Sequence, residues 1–193
     1  MIIRMAEEKD ALLLLQIYAY YVEHTAVTFE YEVPSISEFM ERMGKVKERY
    51  PYLLAEEDGE ITGYAYVSAF KDRAAYDWAV ETTVYVKEER RSEGIGRKLY
   101  EALEEILKVQ NVLNVNACIA YPNPDSIRFH ERLGYKTVGH FTKCGYKQGK
   151  WYDMVWMEKM LGGHRDGPEP VIRTEDIDRG ILDEIMRRQR WTD

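Results

Sequence analysis

Between Tyr76 and Leu107 the chain reads YDWAVETTVYVKEERRSEGIGRKLYEALEEIL: a carboxylate inside a run of β-formers, a basic glycine loop, then an amphipathic stretch. Glu81 interrupts Val80, Thr82, Thr83, Val84, Tyr85 and Val86. Glutamate is depleted in strands, so Glu81 is either an edge-strand surface group or a positioned proton acceptor. Strand alternation puts it on one face with Tyr85, opposite Val80 and Val84. The loop Arg90-Arg91-Ser92-Glu93-Gly94-Ile95-Gly96-Arg97-Lys98 opens a helix whose face is Ile95, Leu99, Ala102, Leu103 and Ile106. Gly94 and Gly96 let backbone N–H groups approach a ligand at the positive end of that helix. Cations are unfavourable there by the dipole alone, so Arg91, Arg97 and Lys98 point to a bound polyanion. A P-loop pattern is absent, and the third glycine of a dinucleotide fingerprint would fall on Leu99.

Other residues could join this chemistry. His130 follows Ile127 by three and precedes Leu133 by three, which puts it near the inward face of its helix. It is a satisfied core histidine or, with a near-neutral pKa, an acid or base. Asn123 and Pro124 read as N-cap and first residue of that helix. Lys71 and Arg73 stand at the mouth of a strand, where they form a solvated turn or bind an anionic group, Arg73 bidentately. Phe29 and Tyr31 lie in a stretch without helical period between two helices. They plug the core or form a substrate lid.

The elements that must hold these groups follow from pattern and punctuation. Ile2, Ile3 and Met5 predict a strand, and residues 7–22 a largely buried helix. Ser35-x-x-Glu38 is a capping box opening a second helix. Asp58-Gly59 between the apolar runs 51–57 and 61–70 predicts a hairpin. Residues 76–86 form the strand of Glu81, and Leu113, Val115, Ala117 and Ile119 alternate as another. Gly134 is the expected end of the His130 helix. Strands at 135–141 and 151–160 finish the set, joined by what reads as a long loop. Composition changes at Gly162-Gly163. We therefore expect a domain over residues 1–161 and a tail over 162–193. The tail carries an amphipathic helix with Ile177, Ile181 and Ile185 in line and Arg187, Arg188 and Arg190 at its end. The fold class expected is α/β (α+β mixed), a mixed sheet with helices on both faces.

With 193 residues and 45% hydrophobic content, the chain can build its own core. A net charge of −7 argues against nucleic acid as a partner. No apolar run approaches membrane-spanning length. Cys118 and Cys144 lack metal or disulfide spacing, and the four histidines are scattered, so no metal is expected. The expected location is cytoplasmic.

The motif R-x-x-G-x-G, here Arg91, Gly94 and Gly96, resembles the pyrophosphate loop of the GCN5-related N-acetyltransferases (GNAT), which use acetyl-CoA. Asn123 and Phe129-His130-Glu131-Arg132-Leu133-Gly134-Tyr135 are similar to that family's later motif. Residues 75–86, Thr28-Phe29, His130, and Gly145-Tyr146-Lys147 followed by Gly149, Trp151 and Asp153 resemble the phosphinothricin acetyltransferase subfamily. The resemblance covers roughly residues 1–160 and leaves out the tail. It implies a GNAT fold of about seven strands and a homodimer. It implies Glu81 and His130 as catalytic, with His130 in proton transfer of open direction. Val84, Tyr85 and Val86 would hold the pantetheine arm and thioester. Arg91, Ser92, Glu93, Gly94, Ile95, Gly96 and Arg97 would cradle the pyrophosphate, and Asn123 and Ser126 would contact CoA. Phe29, Lys71, Arg73 and Tyr85 would bind an amino-acid-like substrate. The implied reaction is direct acetylation of an amine. A protein or peptide acetyltransferase would instead need an open acidic groove, and a non-catalytic CoA-binding module would not need Glu81 and His130.

Overall fold

In a computed structural model, which describes residues 1–189, the chain forms a seven-stranded sheet flanked by helices on both faces. The strands are β1 (Ile2–Met5), β2 (Tyr52–Glu57), β3 (Glu60–Ala69), β4 (Ala79–Val86), β5 (Asn114–Tyr121), β6 (Lys136–Lys147) and β7 (Lys150–Met160). The helices are α1 (Ala11–His24), α2 (Ile36–Lys47), α3 (Ile95–Val109), α4 (Pro124–Arg132) and α5 (Arg179–Arg188). Sheet order is β1-β2-β3-β4-β5-β7-β6. All neighbours are antiparallel except β4 and β5, which run parallel.

Local chemistry accounts for most boundaries. Ser35 and Glu38 close the expected capping box at α2. Asp58 and Gly59 both take positive φ, as a two-residue hairpin requires. Asn123 accepts from Ser126 N at 3.2 Å and starts α4. Helix α1 begins later than its periodicity suggests. The Asp10 carboxylate accepts from Glu7 N at 2.8 Å and from Arg4 at 2.7 and 2.9 Å, which holds residues 8–10 in a 3-10 turn. Likewise Ala74–Tyr76 form a turn ahead of β4. The expected loop between the last strands is strand instead. Gln148 and Gly149 both have positive φ, so a tight turn joins β6 directly to β7.

Two apolar layers sandwich the sheet. On one face α1 and α2 cover Tyr52, Leu54 and Tyr64. On the other, Leu99, Leu103, Ile106 and Leu107 of α3 pack on Leu53, Ala65, Val67, Val80 and Val115. Each fully buried leucine contributes about 1.5–3 kcal/mol relative to exposure. The tail joins this second layer: Ile177, Ile185 and Met186 are buried in it, while Ile181 faces outward at 44% exposure. Arg190 lies outside the described residues.

Candidate active site

Strands β4 and β5 pair through three residue couples only, Ala79↔Asn114, Val80↔Val115 and Glu81↔Asn116. Beyond Glu81 they part, and the β5-facing backbone of β4 loses its strand partner. A cleft of about 840 Å³ opens there. Glu81 therefore sits where the split begins, half-buried, with Ser68 beside it on β3.

The cleft gathers most of the expected residues. Glu81, Val84, Tyr85 and Val86 line it from β4. Arg91, Ser92, Gly94, Ile95, Gly96 and Arg97 line it from the loop and α3. Asn123, Ser126 and His130 contribute from α4 and its cap, and Phe29 from the α1–α2 connection. Three expected residues lie elsewhere. Glu93 turns to Arg90 at 2.7 Å. Lys71 lines a neighbouring cavity of about 670 Å³. Arg73 is exposed ahead of the Ala74–Tyr76 turn and lines neither space.

The loop has the backbone of an anion cradle. Ser92 (φ 66°) and Gly94 (φ 84°) are both left-handed, and the step from left-handed Gly94 into helical Ile95 is of the kind that forms an anion-binding nest. Left-handed backbone in a serine is uncommon and stores strain. Arg91 is held ready over the rings of Tyr20 and Tyr21, at 5.8 and 5.1 Å. A Cβ built on Gly96 would project between Phe129 (3.5 Å) and Val84 (3.8 Å), from α4 and β4.

Electrostatics separate the titratable groups. Burial raises the Glu81 carboxyl above its ordinary value, and the positive charge of Lys71 opposes that shift. His130 is 4% exposed, and burial lowers it to about 4, against a weaker opposing hydrogen bond to Ser126. Its Nδ1 lies 2.8 Å from the Ser126 carbonyl, which can only accept, so Nδ1 carries the proton. Nε2 then accepts from the Tyr100 hydroxyl at 3.1 Å. Burial, with the Glu81 charge adding to it, pushes the Cys118 thiol up to about 12.

The Phe29 segment is tied to the far hairpin. Lys147, 3% exposed, donates to the carbonyls of Val22 (2.7 Å) and Thr28 (2.9 Å). Tyr31 Oη donates to Tyr146 O at 2.5 Å. The Phe29 ring covers Gly145 so closely that a Cβ there would overlap it. Gly145→Ala should therefore swing Phe29 out of the cleft. We expect the amine KM to rise roughly 3- to 10-fold, with about 1–3 kcal/mol lost in a denaturant melt.

The partners of Tyr100 and Lys147 escaped sequence reasoning. Tyr100 offered one signal, a hydroxyl-bearing ring beside the apolar face of α3. The role of Lys147 arises from partners far away in the chain.

Comparison with known proteins agrees with this geometry. The Acetyltransferase (GNAT) domain model matches residues 3–156. A phosphinothricin N-acetyltransferase of Streptomyces viridochromogenes is 37% identical over 157 residues, covering 81% of this chain and 86% of that protein. An L-methionine sulfoximine/L-methionine sulfone acetyltransferase of Salmonella typhimurium is 30% identical over 85% of this chain and 96% of its own. The crystal structure of a phosphinothricin acetyltransferase from Sinorhizobium meliloti in complex with AcCoA superposes with a TM-score of 0.83 at 31% identity, covering 89% of this chain and 97% of that one. A sheet split beside a left-handed glycine loop, within a domain match spanning most of the chain, makes this protein a member of the GNAT family and an N-acetyltransferase.

Proposed function

We propose that the enzyme acetylates the α-amino group of a small amino acid with a charged or strongly polar side group, of the phosphinothricin, methionine sulfoximine or methionine sulfone type. The observation that carries this is the half-buried Glu81 at the opening of the β4–β5 split, with Lys71 close enough to act on its charge. The names of the relatives support the substrate class.

Acetyl-CoA supplies the activated acetyl group, and the cleft suits it. The open β4 edge at Val84, Tyr85 and Val86 offers backbone groups to the pantetheine arm. Arg91, Ser92, Gly94, Ile95, Gly96 and Arg97 face the pyrophosphate, while Asn123 and Ser126 line the far side. Glu81 takes the proton from the substrate ammonium, since a protonated amine cannot attack. His130 is neutral above about pH 4, and its Nε2 lone pair receives the Tyr100 hydroxyl, so we assign it the acceptor end of a Tyr100–His130 proton pair. Phe29 and Tyr85 wall the amine side.

Transfer is direct in this reading. A thiol pushed up to about 12 supplies almost no thiolate at neutral pH, although Cys118 lines the cleft. Cys118→Ala should keep kcat within about threefold, and intact-protein mass spectra taken during turnover should show no acetylated cysteine. A stable acetyl-Cys118 that decays on amine addition would remove direct transfer.

We also propose a homodimer. Edge strand β6 exposes Val138 (54%) and Phe141 (51%), with Tyr146 and Trp151 at the hairpin end. Native sheets rarely leave such an edge uncovered. Light scattering should give twice the chain mass, and a monomer at assay concentration would end this part of the proposal. We also propose that the acetyltransferase domain spans residues 1–161 with 162–193 as its tail; the family match covers residues 3–156. A cytoplasmic location fits two free cysteines and the fact that no described helix is long and apolar enough to cross a membrane.

The test is thiol release from acetyl-CoA over a panel of amines. Phosphinothricin, methionine sulfoximine and methionine sulfone should exceed leucine and short peptides at least tenfold in kcat/KM, the scale on which one lost polar contact discriminates. A peptide turned over as fast as phosphinothricin would overturn the assignment.

A further inference from the structure

The second cavity begins where the catalytic carboxylate ends. Ala79 is two residues before Glu81 on the same side of β4, about 7 Å along the strand. Asn116 pairs in register with Glu81. Both Ala79 and Asn116 line the second cavity, whereas Glu81 lines the cleft. Lys71, whose charge acts on Glu81, also belongs to the second cavity. The two spaces thus lie on either side of the Glu81↔Asn116 couple. At about 670 Å³ the cavity has the size of a small-molecule site.

Its walls come from four sources, one of them β6 through Val138, Gly139 and Phe141, on the edge proposed above as the dimer face. Phe70 and Trp156 meet edge to face at 5.5 Å and form an aromatic side. Lys71 supplies a cation from the sheet end. The fourth wall is the tail, through His164, Arg165 and Pro168. That segment lies beyond the acetyltransferase domain match, which ends at residue 156.

Arg165 is exposed, but the chain on either side of it is pinned. Leu161 N donates to Leu113 O at 2.8 Å, and His164 Nε2 hydrogen-bonds Asn114 Oδ1 at 2.7 Å. Beyond it, Trp78 Nε1 donates to Glu169 O at 2.7 Å. Among the described residues, neither Lys71 nor Arg165 has a carboxylate within salt-bridge distance. Glu158 is the carboxylate that shares the lining with these two cations. Arg73, the second cation expected from the sequence, is absent from this lining, and Arg165 stands there in its place.

We propose that this cavity receives the side chain of the amino-acid substrate, and that Arg165 acts with Lys71 on an anionic group at its end. The tail is then a specificity element, and its preferred ligand is an α-amino acid with a negatively charged side chain. The proposal rests on the amino-acid N-acetyltransferase reading above. The aromatic wall takes the methylene stem, and the paired cations take the anion by charge-assisted hydrogen bonds.

Wild type, Arg165→Ala and Arg165→Lys would be compared with phosphinothricin and with methionine, which has the stem without the anion. Two readouts are needed: steady-state kinetics, and a tryptophan-fluorescence titration that uses Trp78 and Trp156 in the cavity wall. Arg165→Ala should raise both KM and Kd for phosphinothricin about tenfold. The phosphinothricin kcat should stay within about twofold. KM values for methionine and acetyl-CoA should not move, and Arg165→Lys should recover part of the loss. An unchanged phosphinothricin Kd, or an equal rise for methionine, would overturn the proposal. A wild type that binds phosphinothricin through Arg165 but acetylates no amino acid would uphold the cavity and refute the proposed reaction. A wild type that neither binds nor acetylates it would refute both.

Discussion

Glu81→Gln should lower kcat by roughly 10²- to 10⁴-fold, the contribution of a positioned general base. The acetyl-CoA Kd should stay within about twofold. Glutamine keeps the shape and removes the proton acceptor. The separation of effects follows from position: Glu81 sits at the last β4–β5 couple, while the proposed cofactor contacts lie beyond the split. Stability should not fall. Burial raises the folded carboxyl above its ordinary 4.5. Such a group contributes stability below its unfolded pKa that is lost as pH rises through the folded pKa. At neutral pH the ionised side chain is therefore a cost, and glutamine removes it. A variant that lost activity together with its melting transition would mean that Glu81 holds the fold rather than the proton.

Gly96→Ala should raise the acetyl-CoA Kd at least tenfold, by about 1.4 kcal/mol or more. The logic is steric. The added Cβ meets Phe129 at 3.5 Å and Val84 at 3.8 Å, ordinary contacts that the fold accommodates. It enters the cleft between β4 and α4, where a ligand following the loop must pass. Because the α3 backbone tolerates alanine well, the melting temperature should hold within a few degrees, roughly the shift for under 1 kcal/mol. Calorimetric titration of acetyl-CoA separates the two effects. Unchanged affinity would place the cofactor away from this loop.

Much of this was legible in the sequence because it depends on neighbours in the chain. Asp58-Gly59, Ser35 with Glu38, and Asn123 with Pro124 each dictate a turn or cap through local geometry. The loop from Arg91 to Gly96 is local too, and its left-handed residues are those that an anion cradle needs. Glu81 stood out because a carboxylate amid β-formers requires a reason. What escaped depends on distant partners. Lys147 looks like a surface lysine until α1 and the Phe29 segment bring two carbonyls to it. The second cation near Lys71 was sought two residues away, at Arg73. Arg73 stands exposed ahead of the Ala74–Tyr76 turn and lines neither space, and the tail brings Arg165 to the cavity lining from far along the chain. The final hairpin was missed for a local reason: glycines and lysines between Cys144 and Lys150 suggest a loop, but Gln148 adopts the left-handed turn position that asparagine would have advertised.

The central claim is that Glu81 accepts the amine proton in direct transfer to an amino acid. The most direct test is kcat/KM for phosphinothricin across pH, with wild type and Glu81→Gln side by side at saturating acetyl-CoA. Wild type should show an acid limb governed by a group above the ordinary carboxylate value of 4.5, since the ionised form is the base. The Glu81→Gln comparison separates this limb from any contribution of His130, which burial lowers to about 4. The account predicts that Glu81→Gln loses this limb along with most of its rate. A variant that keeps the wild-type rate and the same acid limb would contradict it.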